Sequence, residues 1–198
     1  MDTLTLFPHP WREPCKVNFR LKVIPCVFLA ITSLIVILAI DKSLTSSEAS
    51  GFSDIEYAGN VDRMNTVVAS WSPAQRSLAG FSSGFHFFFM TWYSTSLALG
   101  TLWAANHVEA IGHRRLAQVG DIIAWLQHFG VVWDMILQSV LINQLYNGAK
   151  EHQPQLGVAC AVIHVIFIVL AALYILFGRI FACYAKPKAI SDSSAASP

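Results

Sequence analysis

The sequence predicts an all-α integral membrane protein, with four transmembrane helices in a bundle and an amphipathic helix in the first outer loop. Two observations support this class. Of the 198 residues, 55 % are hydrophobic and 13 % are charged, whereas soluble domains are about a quarter charged; the mean hydropathy is +0.51. Four segments are also apolar enough to cross a hydrocarbon core of about 30 Å, which takes about 20 residues.

The four predicted spans are interpreted as helices, because a segment in lipid must satisfy its own backbone hydrogen bonds. They cover residues 23–40, 81–105, 122–142 and 156–178. An N-terminal segment (1–22) precedes them, and a largely disordered tail (179–198) follows. The first span could instead be a signal peptide, but its long leading segment and the lack of a small-x-small site after it favour a retained span.

The distribution of basic residues predicts the orientation of the chain. Nine of the 13 Lys and Arg residues lie before span 1, between spans 2 and 3, or after span 4. The positive-inside rule therefore places both termini and the 106–121 loop in the cytosol. The membrane would be the plasma membrane or an endomembrane.

The first outer loop has a helical pattern of apolar residues. These are Tyr57, Val61, Met64, Val68 and Trp71. Ser53 followed by Glu56 resembles a capping box at the start of such a helix. We therefore predict an amphipathic helix from about 54 to 70, lying on the outer membrane surface or capping the bundle.

Two further helix starts are expected. Ser72, Pro73 and Gln75 form a capping signal for the helix that contains span 2. Asp121 stands directly before span 3 and is predicted to be its N-cap. The residues between these helices, 106–120, are expected to form a solvated helical connector with basic side chains near lipid head groups.

Asp134 is the only Asp, Glu, Lys or Arg within the four spans. It lies about 18 Å from the inner end of span 3, and His164 lies about 12 Å from the outer end of span 4. In a core of about 30 Å these depths coincide, and Tyr93 of span 2 reaches the same layer. Gln127 and Gln138 share the helix stripe of Asp134. Together these five residues form a predicted intramembrane polar layer.

Two roles remain open for this layer. It could simply hydrogen-bond the helices together, or it could be a proton- or cation-linked site in which Asp134 exchanges protons with His164. Haem ligation would need two histidines at similar depth on facing helices, and His86, His128 and His164 lie at three different depths. No cofactor or metal site is predicted.

Small residues and cysteines suggest packing and modification sites. Ser96, Gly100 and Ala104 form a small-xxx-small ridge that lets another helix approach closely, within the chain or in a second copy. The four cysteines are most simply buried or juxtamembrane thiols. Cys15 and Cys183, just outside the apolar runs, are candidate sites of S-palmitoylation.

The function predicted from these patterns is association. The chain is expected to be a multi-pass membrane scaffold or a structural subunit of a membrane complex, with lipid and other membrane proteins, or itself, as partners. The alternative is a small proton- or cation-linked transporter or channel subunit that uses Asp134 and His164. A net charge of +1 argues against nucleic-acid binding, and no motif indicates an enzyme.

Overall fold

A computed structural model of the chain describes residues 8–150 and 152–184, the side chains of 182–184 excepted. Within these ranges every regular element is a helix, so the all-α class is confirmed. The elements in order are α1 (Arg12–Lys16), α2 (Phe19–Ser43), α3 (Ser53–Glu56), α4 (Val61–Ser70), α5 (Pro73–Ala110), α6 (Arg114–Asn147) and α7 (Gln153–Tyr184).

Helix α5 is the centre of the packing, because it contacts α2, α6 and α7, while α6 also packs along α7. Small residues allow the close approaches. A Cβ added to Gly178 would lie 2.5 Å from Cβ of Ala104, and one added to Gly120 would lie 2.7 Å from Cβ of Ala105. Helices α5, α6 and α7 therefore form a tightly packed group, and α2 lies chiefly against α5.

Two helices are long and apolar enough to cross a membrane. They are α2 over Phe19–Ser43 and α7 over Gln153–Phe181, and in each only 22 % of the apolar stretch is buried. No other helix in the described ranges has both properties. Helices α5 and α6 contain buried polar residues among the apolar ones, which lowers the mean hydropathy of both helices. Examples are Ser82, Ser83, Thr101, Gln127 and Gln138.

The segment between α2 and α5, residues 44–72, forms a cap at one end of the packed helices. The single helix predicted for 54–70 was wrong, because α3 ends at Glu56 and α4 begins at Val61. Gly59 has a φ of +69°, which breaks the helix, and the Asn60 side chain accepts the Arg63 N–H as the N-cap of α4. The Ser53 capping box was also wrong, since no side chain caps α3.

The cap packs its apolar side chains onto the ends of the long helices rather than lying apart from them. Its buried residues join residues of α5, α6 and α7 in one hydrophobic cluster; the cluster includes Phe52, Ile55, Met64, Val67, Trp71, Ala79, Leu137, Leu141, Leu145 and Cys160. The Trp71 indole N–H donates to the Leu44 carbonyl at 2.8 Å. Tyr57, predicted on the apolar face, is 55 % exposed.

The helix-start predictions had different outcomes. Ser72 and Gln75 form the predicted capping box of α5, with Pro73 in its first turn. The prediction of Asp121 as an N-cap was wrong, because α6 begins at Arg114 and Asp121 is buried within it. The residues from Arg114 to Gly120, which precede the apolar run, belong to the same helix as the run.

Helix α7 extends into the segment predicted as the C-terminal tail. Helix α7 continues to Tyr184, so the first six residues of the predicted 179–198 tail are helical. The remainder of that tail lies outside the described residues.

Candidate functional site

Asp134 and His164 form the centre of a buried polar layer. Helices α6 and α7 run antiparallel and place the Oδ2 atom of Asp134 in direct contact with Nδ1 of His164. The two side chains are 2 % and 9 % exposed. Gly130, one turn before Asp134, faces the imidazole, and a Cβ there would be in ordinary contact with it, 3.7 Å from His164 Nδ1. A carboxylate and an imidazole in contact can share a proton.

Tyr93 of α5 completes this layer from the third helix. Its ring and that of His164 meet edge to face, with centroids 5.5 Å apart. The Nε2 atom of His164 is buried and has no hydrogen-bond partner among the described residues. The structure therefore brings together three of the five residues predicted for the layer.

Gln138 connects the layer to the cap. Its amide nitrogen donates to Glu56 Oε1 at 2.8 Å, and its amide oxygen accepts the Ser83 hydroxyl at 2.5 Å. Sequence reasoning missed both partners. Glu56 was predicted to be part of a capping box, and no role was predicted for Ser83. Gln138 follows Asp134 by one helical turn, so this hydrogen-bonded group extends the polar layer toward half-buried Glu56.

Gln127 has a separate role. It lies two turns from Asp134, about 10 Å along the helix, and its amide nitrogen donates to the Phe167 carbonyl of α7 at 2.9 Å. This bond ties α6 to α7 without reaching the Asp134 carboxylate. Gln127 therefore lies on the same face of α6 as Asp134 but outside the group formed by Asp134, His164 and Tyr93.

The small-residue ridge of α5 packs within the chain. A Cβ added to Gly100 would lie 2.8 Å from Ile175 of α7, and Ala104 faces Gly178. Ser96 donates its hydroxyl to the Trp92 carbonyl of its own helix. The ridge was predicted to pack within the chain or against a second copy. Its contacts with α7 match packing within the chain.

The cysteines in the described part of the chain are buried thiols. Cys15, Cys26 and Cys160 are free and buried. Burial raises the pKa of the Cys15 thiol, which makes it a poor acceptor for acylation in this conformation. The Cys183 side chain lies outside the described residues.

A second polar cluster holds residues 8–18, the N-terminal arm, against the other end of α5 and α6. The Arg12 guanidinium contacts Asp121 of α6, donates to Glu109 of α5 at 3.0 Å, and reaches Asn106 at 3.3 Å. Asn106 in turn donates to the Arg12 carbonyl. Burial raises the pKa of Asp121, and the neighbouring Arg12 charge opposes that rise. Sequence reasoning missed this cluster entirely.

His9 of the arm lies in a pocket of aromatic rings beside Arg12. Its ring centroid is 4.8 Å from that of Trp125 and 5.3 Å from that of His128. Burial, with a smaller effect from His128, lowers the pKa of His9 to about 4. The folded arm therefore favours the neutral imidazole.

The contact between Asp134 and His164 has the chemistry for proton exchange. The contacts of Arg12 hold the N-terminal arm on α5 and α6. Within the described ranges no three His, Cys, Asp or Glu side chains are grouped so as to hold a metal ion. No protein-family model, curated protein or solved structure matches this chain. The geometry is thus the basis for any functional assignment.

Proposed function

We propose that this chain is a multi-pass membrane protein in which α2, α5, α6 and α7 span the bilayer as a four-helix bundle with cytosolic termini, and that it acts by association. It would serve as a scaffold or as a structural subunit of a membrane complex. The observation that carries the proposal is the apolar outer surface of α2. Eight large side chains there are 39 % to 72 % exposed: Leu21, Ile24, Val27, Phe28, Ile31, Leu34, Ile35 and Leu38.

This surface favours lipid and helix contacts over water. Exposed apolar patches of such length mark membrane or protein interaction sites. The exposed Thr32 on this face donates its hydroxyl to the Phe28 carbonyl of its own helix, so it is satisfied in a hydrocarbon core. The α5 ridge is already occupied by α7, whereas α2 offers a free apolar surface for a neighbouring helix. Its packing chiefly against α5 leaves most of its circumference open.

Association is tested with the full-length chain extracted in native-lipid nanodiscs, using particle mass as the readout. We expect particles heavier than one 21.8 kDa chain after correction for the disc. Ile31→Trp with Ile35→Trp keeps α2 apolar but alters its shape, and should reduce the mass to that of the single chain. Ile166→Trp on the exposed face of α7 is the matched control and should leave the mass unchanged. A wild-type chain that is always single would refute association.

The bilayer topology needs its own test. Acceptor sites for N-glycosylation placed in the cap and in the 111–113 turn should be modified in the cap only, because the two lie on opposite sides in the proposed orientation. Modification at the turn but not the cap would reverse the orientation. Modification at both would remove the four-span proposal.

A second candidate function is proton- or cation-linked transport through the bundle. The contact between Asp134 and His164 favours it, because ionisable groups within a span are usually functional or paired. Gln138 and half-buried Glu56 supply a polar connection from this pair toward the cap. The layer itself is closed, with Asp134 only 1 % exposed, so transport would require the helices to move apart.

Transport is tested in liposomes that contain the purified chain and a pH-sensitive dye. Under the transport hypothesis an imposed pH gradient dissipates faster with the wild-type chain than with Asp134→Asn. Asp62→Asn removes an exposed carboxylate of α4 and is the matched control, expected to match the wild type. Equal rates for wild type, Asp134→Asn and empty liposomes would leave association as the sole proposal.

A further inference from the structure

We propose that the N-terminal arm is a pH-sensitive latch, docked on α5 and α6 at neutral pH and released when His9 is protonated. This inference does not depend on the function proposed above. It rests on the hydrogen bonds of His9, on the groups that surround it and on the burial of the arm.

The hydrogen bonding of His9 specifies its neutral form. The imidazole is 3 % exposed, and its Nδ1 atom accepts the backbone N–H of Trp11 at 3.2 Å. An accepting Nδ1 places the ring proton on Nε2. Protonation would put a second hydrogen on Nδ1, directly facing the Trp11 donor, so the bond that shapes the arm would become a repulsion between two donors.

Among the described residues, the His9 imidazole has no carboxylate partner of its own, although its backbone N–H donates to Asp121. The arm contributes Arg12, and α6 contributes His128, whose ring centroid is 5.3 Å away. The two carboxylates at this end, Asp121 of α6 and Glu109 of α5, are both engaged by Arg12. An imidazolium would therefore be buried beside a second imidazole, while the two nearest acids already contact Arg12.

The direction of the pH effect follows from the low pKa of docked His9. That pKa is about 4 when the arm is docked and 6.5 when His9 is free. Docking is fully stabilised above the free value and weakens as the pH falls toward the docked value. Linkage between these values predicts an increase of about 30-fold in the opening equilibrium between about pH 7.5 and about pH 5.

Release of the arm exposes a chemical reporter. Cys15 lies three residues after Arg12 and is 2 % exposed when the arm is docked. It packs with Cys26, Leu99 and Leu102 at the junction of α2 and α5. Its reaction with a water-soluble maleimide therefore requires the arm to leave this surface.

The experiment uses the full-length chain in nanodiscs, with Cys26, Cys160 and Cys183 replaced by alanine. The alkylation rate of Cys15 is divided by its rate in the same chain unfolded in detergent at the same pH, which removes the pH dependence of the thiol chemistry. The ratio should rise about 30-fold between about pH 7.5 and about pH 5. Arg12→Ala, which removes the ion pairs of the arm, should give a high ratio at both pH values.

The deciding variant is His9→Asn. An asparagine oxygen can accept the Trp11 N–H in place of Nδ1, but it does not titrate in this range. We expect a low ratio at both pH values. A wild-type ratio that does not change with pH, or a variant that opens with the same pH dependence as wild type, would overturn the proposal.

A second measurement keeps the proposal testable if His9→Asn does not dock. Histidine-labelled wild-type chain is titrated by NMR, with His9 assigned from the spectrum of the His9→Asn variant. Protonation of His9 and exposure of Cys15 should share one midpoint. Exposure that occurs while His9 is still neutral would contradict the latch.

Discussion

The Nη1 atom of Arg12 and the Oδ2 atom of Asp121 form an ion pair across 109 residues of sequence. The two side chains are 10 % and 6 % exposed. Arg12 also binds Glu109, so a single guanidinium contacts two acids from two different helices. This relationship fixes the arm to the junction of α5 and α6, and it makes the arm sensitive to the loss of one charge.

Replacing Arg12 by alanine should destabilise the folded chain by about 3 kcal/mol, because the arm loses the buried ion pairs that hold it on α5 and α6. Chemical unfolding of the protein in bicelles measures this change. Lys16→Ala is the matched control, since Lys16 pairs with Glu13 on an exposed surface and such pairs contribute about 0–1 kcal/mol. Equal effects of the two variants would contradict a structural role for the Arg12 pairs.

Replacing His164 by leucine should destabilise the chain by about 2.5–3.5 kcal/mol, the cost of an unpaired Asp at mid-span. Adding Asp134→Leu should recover most of that loss, because the second change removes the unpaired group. The free energy of unfolding of wild type, both single variants and the double variant forms the test. Independent, additive effects would mean that the contact between these side chains contributes nothing to stability.

Replacing Gly178 by alanine should destabilise the chain by about 1–3 kcal/mol through overpacking. The added Cβ would lie 2.5 Å from Cβ of Ala104, so α5 and α7 must move apart. Gly84→Ala places the same methyl group where nothing lies within 4 Å. That control should be neutral or stabilising by about 0.5–1 kcal/mol, from helix propensity. Unfolding curves that rank the two variants the other way would contradict the close approach of the helices.

Replacing Trp71 by phenylalanine should loosen the cap, because the bond from its indole N–H to the Leu44 carbonyl is lost. The expected cost is about 1 kcal/mol more than the cost of the reduced volume. Trp92→Phe is the control, since the Trp92 indole nitrogen has no hydrogen-bond partner among the described residues. Hydrogen exchange in the cap, measured by mass spectrometry, should increase for the first variant only.

Local patterns predicted most of the helices and the proximity of Asp134 and His164. Apolar runs indicated α2 and α7, and counting residues from the ends of the predicted spans put Asp134 and His164 at one level, in agreement with their contact. The same method failed in the cap, where the apolar spacing continues from Tyr57 to Val61 although Gly59 interrupts the helix. Periodicity records which side chains are apolar but not where the backbone turns.

The arm could not be predicted in this way. Nothing near Arg12 in the sequence indicates Asp121 as its partner, and Asp121 resembled a cap only because the apolar run starts one residue later. Helix α6 begins seven residues earlier, at Arg114. Contacts between distant residues depend on how the helices pack, which local spacing does not specify.

The positions of these contacts also impose an order on biosynthesis. At about 5–20 residues per second, Asp121 is synthesised roughly 5–20 s after Arg12, and Gln138 follows Glu56 by 82 residues. Arg12 and Glu56 therefore leave the ribosome well before the helix that will bind them. Until α6 is made, the docking sites of the arm and the cap are incomplete, so these two early segments finish their packing only after a later helix has been synthesised.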